Sequence, residues 1–244
     1  MFREATISSR HVWAPGLVSL TLDGPTPDFA PGQFFQLGLP AADGSLVRRS
    51  YSAASAPGQP LQFLLSEVPN GALTPRLCAL QPGEQLHLDD GPLGFFTLAE
   101  VPACDTLWLV ATGTGLGPFL SMLRTPGALD RFVQLVIVHG APSVDRLAHA
   151  DEVRTLTSSG QAHYVPCVSR EAPPADGVRG RVTDALASGA LEQLTGLRVD
   201  TSGHVLLCGN PAMIDDMVGL LRGRGLEKHR RRTPGHFNFE KYWS

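Results

Sequence analysis

Hydrophobic and polar positions follow two different rhythms along the chain. Up to about Leu98 the apolar residues come in short runs: Val18-Ser19-Leu20-Thr21-Leu22, Gln33-Phe34-Phe35-Gln36-Leu37, Arg49-Ser50-Tyr51-Ser52, Leu61-Gln62-Phe63-Leu64-Leu65 and Gln85-Leu86-His87-Leu88. Turn pairs separate them, at Pro31-Gly32, Asp43-Gly44, Pro57-Gly58, Asn70-Gly71 and Pro82-Gly83. Short strands with regular turns predict an antiparallel sandwich or small barrel. One helix is expected in this half, over residues 73–80, with Thr74 as its cap and Pro75 in its first position. From Asp105 onward the rhythm changes. Leu107-Trp108-Leu109-Val110-Ala111, then residues 133–138, 163–168 and 204–208, read as continuous apolar strands. Helices are expected between and after them, over 118–123, near 145–158, near 181–194 and over 213–221. Apolar strands alternating with helices predict an α/β domain built on a parallel sheet covered on both faces. The linker Glu100-Val101-Pro102 divides the chain into domains of residues 1–100 and 101–244.

Composition adds exclusions. The 244 residues are 43% hydrophobic and 18% charged, which fits a folded soluble protein and excludes a disordered tail or a coiled coil. Twenty Lys and Arg stand against 23 Asp and Glu, a net charge of −3, so nothing global favours nucleic acid or an anionic membrane. No apolar run approaches the ~20 residues of a membrane span. The opening Met1-Phe2-Arg3-Glu4-Ala5-Thr6 carries no apolar signal region, which predicts a cytoplasmic protein. Cysteines at 78, 104, 167 and 208 lie too far apart for a paired zinc site or a clustered iron–sulfur centre, so no metal is expected. Electron chemistry would need an organic cofactor or an external metal partner.

Several segments could carry chemistry. Gly113-Thr114-Gly115-Leu116-Gly117-Pro118 follows a strand and opens a helix, where glycines admit a phosphate-bearing ligand. Its spacing is one residue short of the usual dinucleotide fingerprint, and a plain tight turn would read the same way. In Cys208-Gly209-Asn210-Pro211, Asn210 can cap the next helix and Pro211 suits its first position, while Cys208 sits beyond a strand end where parallel sheets bind ligands. A buried core cysteine is the plainer reading. A cysteine hydrolase with His139, His163 or His204 as base has no supporting signature. Arg48-Arg49-Ser50-Tyr51-Ser52 puts Arg49, Tyr51 and Ala53 on one face, suited to a pyrophosphate and a flat ring, or simply a solvated strand face. Ser169, Arg170, Arg179 and Arg181 could grip a nucleotide phosphate or be ordinary surface charge. Residues 222–232 hold six Lys or Arg against Glu227 and could dock an acidic protein or form a solvated tail.

Taken in order, Arg49-Ser50-Tyr51-Ser52, Gly71-Ala72-Leu73-Thr74, the 113–118 turn and Cys208-Gly209-Asn210-Pro211 resemble the ferredoxin–NADP⁺ reductases. The likeness is to the bacterial ferredoxin/flavodoxin–NADP⁺ reductases, and it extends through Val168-Ser169-Arg170-Glu171 and Arg231-Arg232-Thr233-Pro234-Gly235-His236. It implies an N-terminal antiparallel β-barrel that binds FAD and a C-terminal α/β parallel-sheet domain that binds NADP(H). On that resemblance Arg49 faces the FAD pyrophosphate, Ser50 lines the same segment, Tyr51 packs on the flavin and Ser52 sits near flavin N5. Leu64, Leu65, Ser66 and Glu67 line the flavin, and Ala72, Leu73 and Thr74 meet its pyrophosphate. Thr114 contacts both cofactors, with Gly113 and Gly115 beside it. Cys208 borders the nicotinamide, and Asn210, Pro211, Ala212 and Asp216 lie on the NADP side. Ser169, Arg170 and Arg181 bind the 2′-phosphate. Glu240 is a proton relay, and Tyr242 or Trp243 covers the FAD. Ser52, Cys208 and Glu240 form the catalytic set.

The activity implied is hydride transfer between nicotinamide C4 and flavin N5, followed by single-electron steps to ferredoxin or flavodoxin, in a monomer. Two departures stand out. Where many bacterial members carry an arginine after the second parallel strand, this chain has Ala141-Pro142, with Arg146 the nearest substitute. Loss of one such contact would cost about 1.5–3 kcal/mol. Ser244 extends past the aromatic end at Trp243. A stand-alone NADH-using flavin oxidoreductase and a non-catalytic nucleotide-binding regulatory protein are the competing expectations.

Overall fold

The computed structural model of the chain describes residues 2–158 and 160–242. It divides into two compact units. One runs to Thr97 and takes in Gly117–Thr125; the other comprises Leu98–Leu116 and the chain from Pro126 onward.

The first unit is built from six antiparallel strands: β1 (Phe2–Ala14), β2 (Leu17–Leu22), β3 (Phe34–Pro40), β4 (Leu46–Ser52), β5 (Gln62–Ser66) and β6 (Gln85–Asp89), in the order β4-β3-β6-β1-β2-β5. A bridge between Ala53 and Phe63 joins the two edges, and the Ala54 N–H donates to the Gln62 carbonyl at 2.8 Å, so the sheet closes on itself. Closure leaves few unpaired edge groups. Phe35, Phe63, Leu20, Leu37, Leu86 and Leu88 fill the interior, with Phe35 edge-on to Phe29 and Phe63. Each such side chain contributes about 1.5–3 kcal/mol by burial. The short helix α1 (Thr74–Ala79) corrects one expectation. Its N-cap is Leu73, with no side-chain cap. Thr74 is the first helical residue, ahead of Pro75, and its hydroxyl accepts from the Val68 N–H at 2.9 Å. The hydroxyl therefore pins the preceding loop, which turns back through Asn70 at φ 62°. Helix α2 (Gly117–Arg124) belongs to this unit. Ser121 Oγ donates to the Ser55 carbonyl at 2.7 Å, and Arg124 donates to the Ala54 carbonyl and to Gln62 Oε1.

The second unit is a six-stranded parallel sheet: β7 (Thr106–Thr112), β8 (Gln134–Ala141), β9 (Ala162–Val168), β10 (Val178–Arg179), β11 (Gly203–Gly209) and β12 (Phe237–Lys241), in the order β10-β9-β8-β7-β11-β12. One face, carrying Trp108, Val110, Val136, Val138, Val165, Val205 and Leu207, packs on α4 (Val182–Ala187), α5 (Ala190–Thr195) and α6 (Pro211–Gly223). On the other face α3 (Ala150–Leu156) meets Ala141, Leu147 and Val168. Two expected helices are shorter than the pattern suggests. The first begins as a 3₁₀ turn at Val144–Arg146, and α3 starts only after His149, whose φ is 59°. The second is broken into α4 and α5 by Gly189 at φ 77°, a left-handed step that ends one helix and starts the next.

Candidate functional site

The strand order of the second unit reverses at β7. β8 and β9 follow on one side, β11 and β12 on the other. In open parallel sheets ligands bind at the carboxyl ends of the strands at such a switch point. Here the two ends carry the turns 113–116 and 208–210. They are locked together closely: a Cβ on Gly115 would lie 2.2 Å from the Cys208 carbonyl oxygen, and Thr112 Oγ1 accepts from the Asn210 N–H at 3.0 Å. Gly113 is the opposite case. Its φ is 54°, and a Cβ there would meet no atom of the described residues within 4 Å. Asn210 caps α6, its side chain accepting from the Ala212 N–H at 2.8 Å, with Pro211 next in the helix, as the sequence predicts.

Parallel register sets one row across the sheet near its carboxyl edge: Pro166, His139, Ala111, Cys208 and Glu240. Directly paired residues point to the same face, so Cys208 and Glu240 are neighbours. Cys208 is fully buried, and burial, then the Glu240 carboxylate, hold its thiol pKa well above the usual value against a hydrogen bond with Tyr242. It is a thiol at neutral pH, so a nucleophilic thiolate has no place here. Burial raises Cys78 to about 11 and Cys167 to about 12 as well. Tyr242 donates to the Thr114 carbonyl at 2.6 Å, and its N–H to the Gly209 carbonyl at 3.3 Å. Lys241 pairs with Asp215 at 2.6 Å, while the neighbouring Asp216 is exposed on α6. Trp243 and Ser244 lie outside the described residues.

The remaining second-unit candidates gather at the ends of β8 and β9. The Ser169 N–H donates to the Ala141 carbonyl at 3.1 Å and the Arg170 N–H to the Pro142 carbonyl at 2.9 Å. The Gly180 N–H donates to the Val168 carbonyl, which brings Arg181 to the same edge. Glu171 accepts from the Val144 N–H and ties in the turn that carries Arg146. Ser169, Arg170 and Arg181 are exposed, and neither arginine forms an ion pair among the described residues. Residues 222–232 are less uniform than their sequence suggests. Arg224 is bound to Glu192 and the Leu186 carbonyl, which leaves Arg222, Arg230, Arg231 and Arg232 as the exposed cations, with Arg231 paired to Glu100 at 3.2 Å.

In the first unit, Arg49 and Tyr51 lie on β4 opposite Leu37 and Phe35 of β3. Arg49 is exposed and, among the described residues, donates only to the carbonyl of Arg48, at 2.7 Å. Tyr51 packs on the barrel interior, yet its buried hydroxyl has no partner among the described residues. Ser50 is exposed, and Ser52 is 6% exposed. On β5, Leu64 and Leu65 are buried and Ser66 half-buried, with the exposed Glu67 following. The backbone N–H groups of Ala72 and Leu73 donate to no carbonyl among the described residues. A guanidinium without a carboxylate, an orphaned buried phenol and undonated N–H groups suit an anionic, ring-bearing ligand.

The family profile of the oxidoreductase FAD-binding domain matches residues 10–98, and that of the oxidoreductase NAD-binding domain matches residues 109–219. A flavodoxin/ferredoxin–NADP reductase of Escherichia coli K12 is 43% identical, over 95% of this chain and 94% of its own. The chain belongs to the flavodoxin/ferredoxin–NADP reductases. Another member, ferredoxin–NADP reductase A of Sorangium cellulosum, is 36% identical over 98% of this chain and 90% of its own. The crystal structure of a ferredoxin NADP⁺ reductase from Neisseria gonorrhoeae with bound FAD and NADP superposes with a TM-score of 0.93 at 28% identity, covering 99% of each chain. As in this family, the antiparallel unit is the FAD domain and the parallel unit the NAD-binding domain. Among the described residues no group of His, Cys, Asp and Glu could hold a metal, and no helix is long and apolar enough to cross a membrane. Sequence reasoning undervalued two residues: Thr112, which binds the Asn210 N–H, and His139, set aside as a hydrolase base. An apolar strand interrupted by one histidine is the signal that could have found the second.

Proposed function

We propose that this reductase carries electrons between NADP(H) and ferredoxin or flavodoxin, and that the residues above divide the work between the two nucleotides. The observation that carries this reading is the switch-point row in which Cys208 and Glu240 stand side by side beneath the Gly113 turn. Accepting a hydride and releasing electrons singly is the chemistry that bound FAD supplies. Arg49 meets the FAD pyrophosphate, Tyr51 lies along the ring system, and the N–H groups of Ala72 and Leu73 face the phosphates with Thr74. Ser52 hydrogen-bonds at flavin N5, and Leu64, Leu65, Ser66 and Glu67 line the ring. The Cys208 thiol borders the nicotinamide as a compact, uncharged wall. The Glu240 carboxylate is the group placed to hold or move a proton beside it. Ser169, Arg170 and Arg181 bind the 2′-phosphate, and the exposed arginines 230–232 meet an acidic carrier. The protein works as a monomer in the cytoplasm.

Arg49→Glu tests the FAD assignment. Because Arg49 holds no carboxylate among the described residues, the substitution leaves the apoprotein's thermal midpoint unchanged. Losing charge-assisted bonds and adding a like charge weakens FAD binding by about 100-fold or more. FAD content after desalting reads this directly. Wild-type FAD retention in the variant would remove Arg49 from the site.

The function itself is tested by anaerobic visible-absorption titration of the FAD-loaded protein with NADPH and then NADH. The flavin band bleaches far more readily with NADPH. Equal bleaching would favour the NADH-using alternative, for which the missing cation at Ala141-Pro142 is the one specific observation. A chain that takes up no FAD would point to a regulatory protein.

A further inference from the structure

His139 is fully buried in β8, in a row that is otherwise apolar toward the sheet centre. Burying an imidazole costs free energy unless both ring nitrogens find partners, and here both do. Nε2 lies 3.2 Å from the Gly113 carbonyl oxygen, and Nδ1 lies 3.2 Å from the Tyr164 hydroxyl. A carbonyl can only accept, so Nε2 carries the hydrogen, and Nδ1 accepts from the Tyr164 O–H. Tyr164 is itself held. The Arg154 guanidinium lies 5.3 Å over its ring and is fixed by Asp176 at 2.7 Å. Burial keeps the Tyr164 hydroxyl protonated, as a donor must be, and lowers the His139 pKa to about 4, so the ring stays neutral.

We propose that His139 is a positioning residue for the dinucleotide: by holding the Gly113 carbonyl inward it sets the orientation of the turn that receives NADP(H). The inference rests on the nucleotide-binding reading above. In a trans peptide the carbonyl and the following N–H point in opposite directions, so a carbonyl drawn toward His139 turns the Thr114 N–H the other way. Gly113 sits at φ 54°, a conformation that the turn must be made to keep, with no described residue on its Cβ side within 4 Å. The next carbonyl, that of Thr114, is held in turn by the Tyr242 hydroxyl at 2.6 Å. Two successive peptide planes of the turn are thus fixed by side chains from β8 and from the residue that follows β12.

The test uses His139→Leu, His139→Gln and Tyr164→Phe in the FAD-loaded protein. Gln can place an amide N–H where Nε2–H was; Leu cannot. NADP⁺ affinity is read by calorimetry, and KM and kcat with NADPH alongside it. His139→Leu raises Kd and KM by about tenfold, His139→Gln recovers to within about threefold, and Tyr164→Phe costs about threefold, at unchanged FAD content, as expected for loss of one or part of one hydrogen bond. The neutral Nε2–H tautomer is visible in the ¹⁵N spectrum of the wild-type imidazole. A folded His139→Leu protein with wild-type NADP⁺ affinity overturns the proposal, as does a Gln variant no better than Leu. If His139→Leu does not fold, Tyr164→Phe and the tautomer decide, and an Nδ1–H ring overturns it. Wild-type protein that shows the Nε2–H ring yet binds no NADP⁺ would instead refute the dinucleotide reading on which the inference stands.

Discussion

Gly115→Ala abolishes productive NADP(H) binding while FAD remains bound. A Cβ at residue 115 would lie 2.2 Å from the Cys208 carbonyl oxygen, 2.6 Å from its carbonyl carbon and 2.9 Å from the Gly209 Cα. These are backbone atoms of β11, paired to β7 on one side and β12 on the other, so no rotamer change relieves the clash. The turn and the strand end must separate, at a cost of about 3 kcal/mol. That lowers the thermal transition of the second unit by about 10 °C. Because the displaced turn is the one that receives the nucleotide, NADP⁺ affinity falls by about 100-fold or more. Gly113→Ala is the control. Its Cβ meets no atom of the described residues, and the cost is that of a left-handed conformation, about 1 kcal/mol. Scanning calorimetry and NADP⁺ titration of the two variants separate the glycine needed for close approach from the glycine needed only for its left-handed conformation. A Gly115→Ala protein that melts like Gly113→Ala would show that the strands do not meet as described.

The second large effect is an acid instability of the parallel unit. His139 and His204 are both buried, and burial lowers each pKa from 6.5 to about 4. His139 faces the Gly113 carbonyl, Tyr164 and His149; His204 faces Asn238, His229 and His236. Below pH 6.5 the unfolded chain binds protons at these sites while the folded chain does not. Stability is therefore complete above 6.5 and falls as pH drops toward 4, by about 3 kcal/mol for each histidine. Asp176, whose pKa is lowered by its bond to Arg154, adds a further loss at still lower pH as it is protonated. Urea unfolding of wild-type and His204→Gln proteins at pH 7 and pH 4.5 measures the effect. The variant retains close to half of the wild-type pH dependence. An identical loss in both would rule out His204 as a source.

The strands of the parallel unit were readable because both faces are buried, which leaves unbroken apolar runs such as Leu107-Trp108-Leu109-Val110-Ala111. β1 was not readable, although it is the longest strand. Its first residues pair with β6 and its later ones with β2, with a register shift after Ile7. Only Ala5, Ile7 and Ala14 are buried along it, so it shows no sustained alternation. The neighbouring positions of Cys208 and Glu240 were also hidden. They depend on β12 adding to the sheet edge in parallel register, a tertiary event that no local pattern encodes. Asn210 and Pro211, by contrast, announce the start of α6 through local chemistry alone. Arg224 looked like part of a solvated basic run, but its partner Glu192 is distant in sequence.

The path of the chain bears on how such a protein can be inherited. It passes from the barrel unit to the parallel unit after Thr97, returns at Gly117 and leaves again after Thr125. The returning segment is integral to the barrel: Phe119 packs on Phe96, while Ser121 and Arg124 bind the carbonyls of Ser55 and Ala54. A single recombination breakpoint near codon 100 would join one parent's barrel to the other parent's helix α2. Hybrids of two reductases need two additional breakpoints, on either side of residues 117–125, before each unit comes from one parent. The coding order of this enzyme thus works against the piecemeal shuffling that joins simpler, sequential domains.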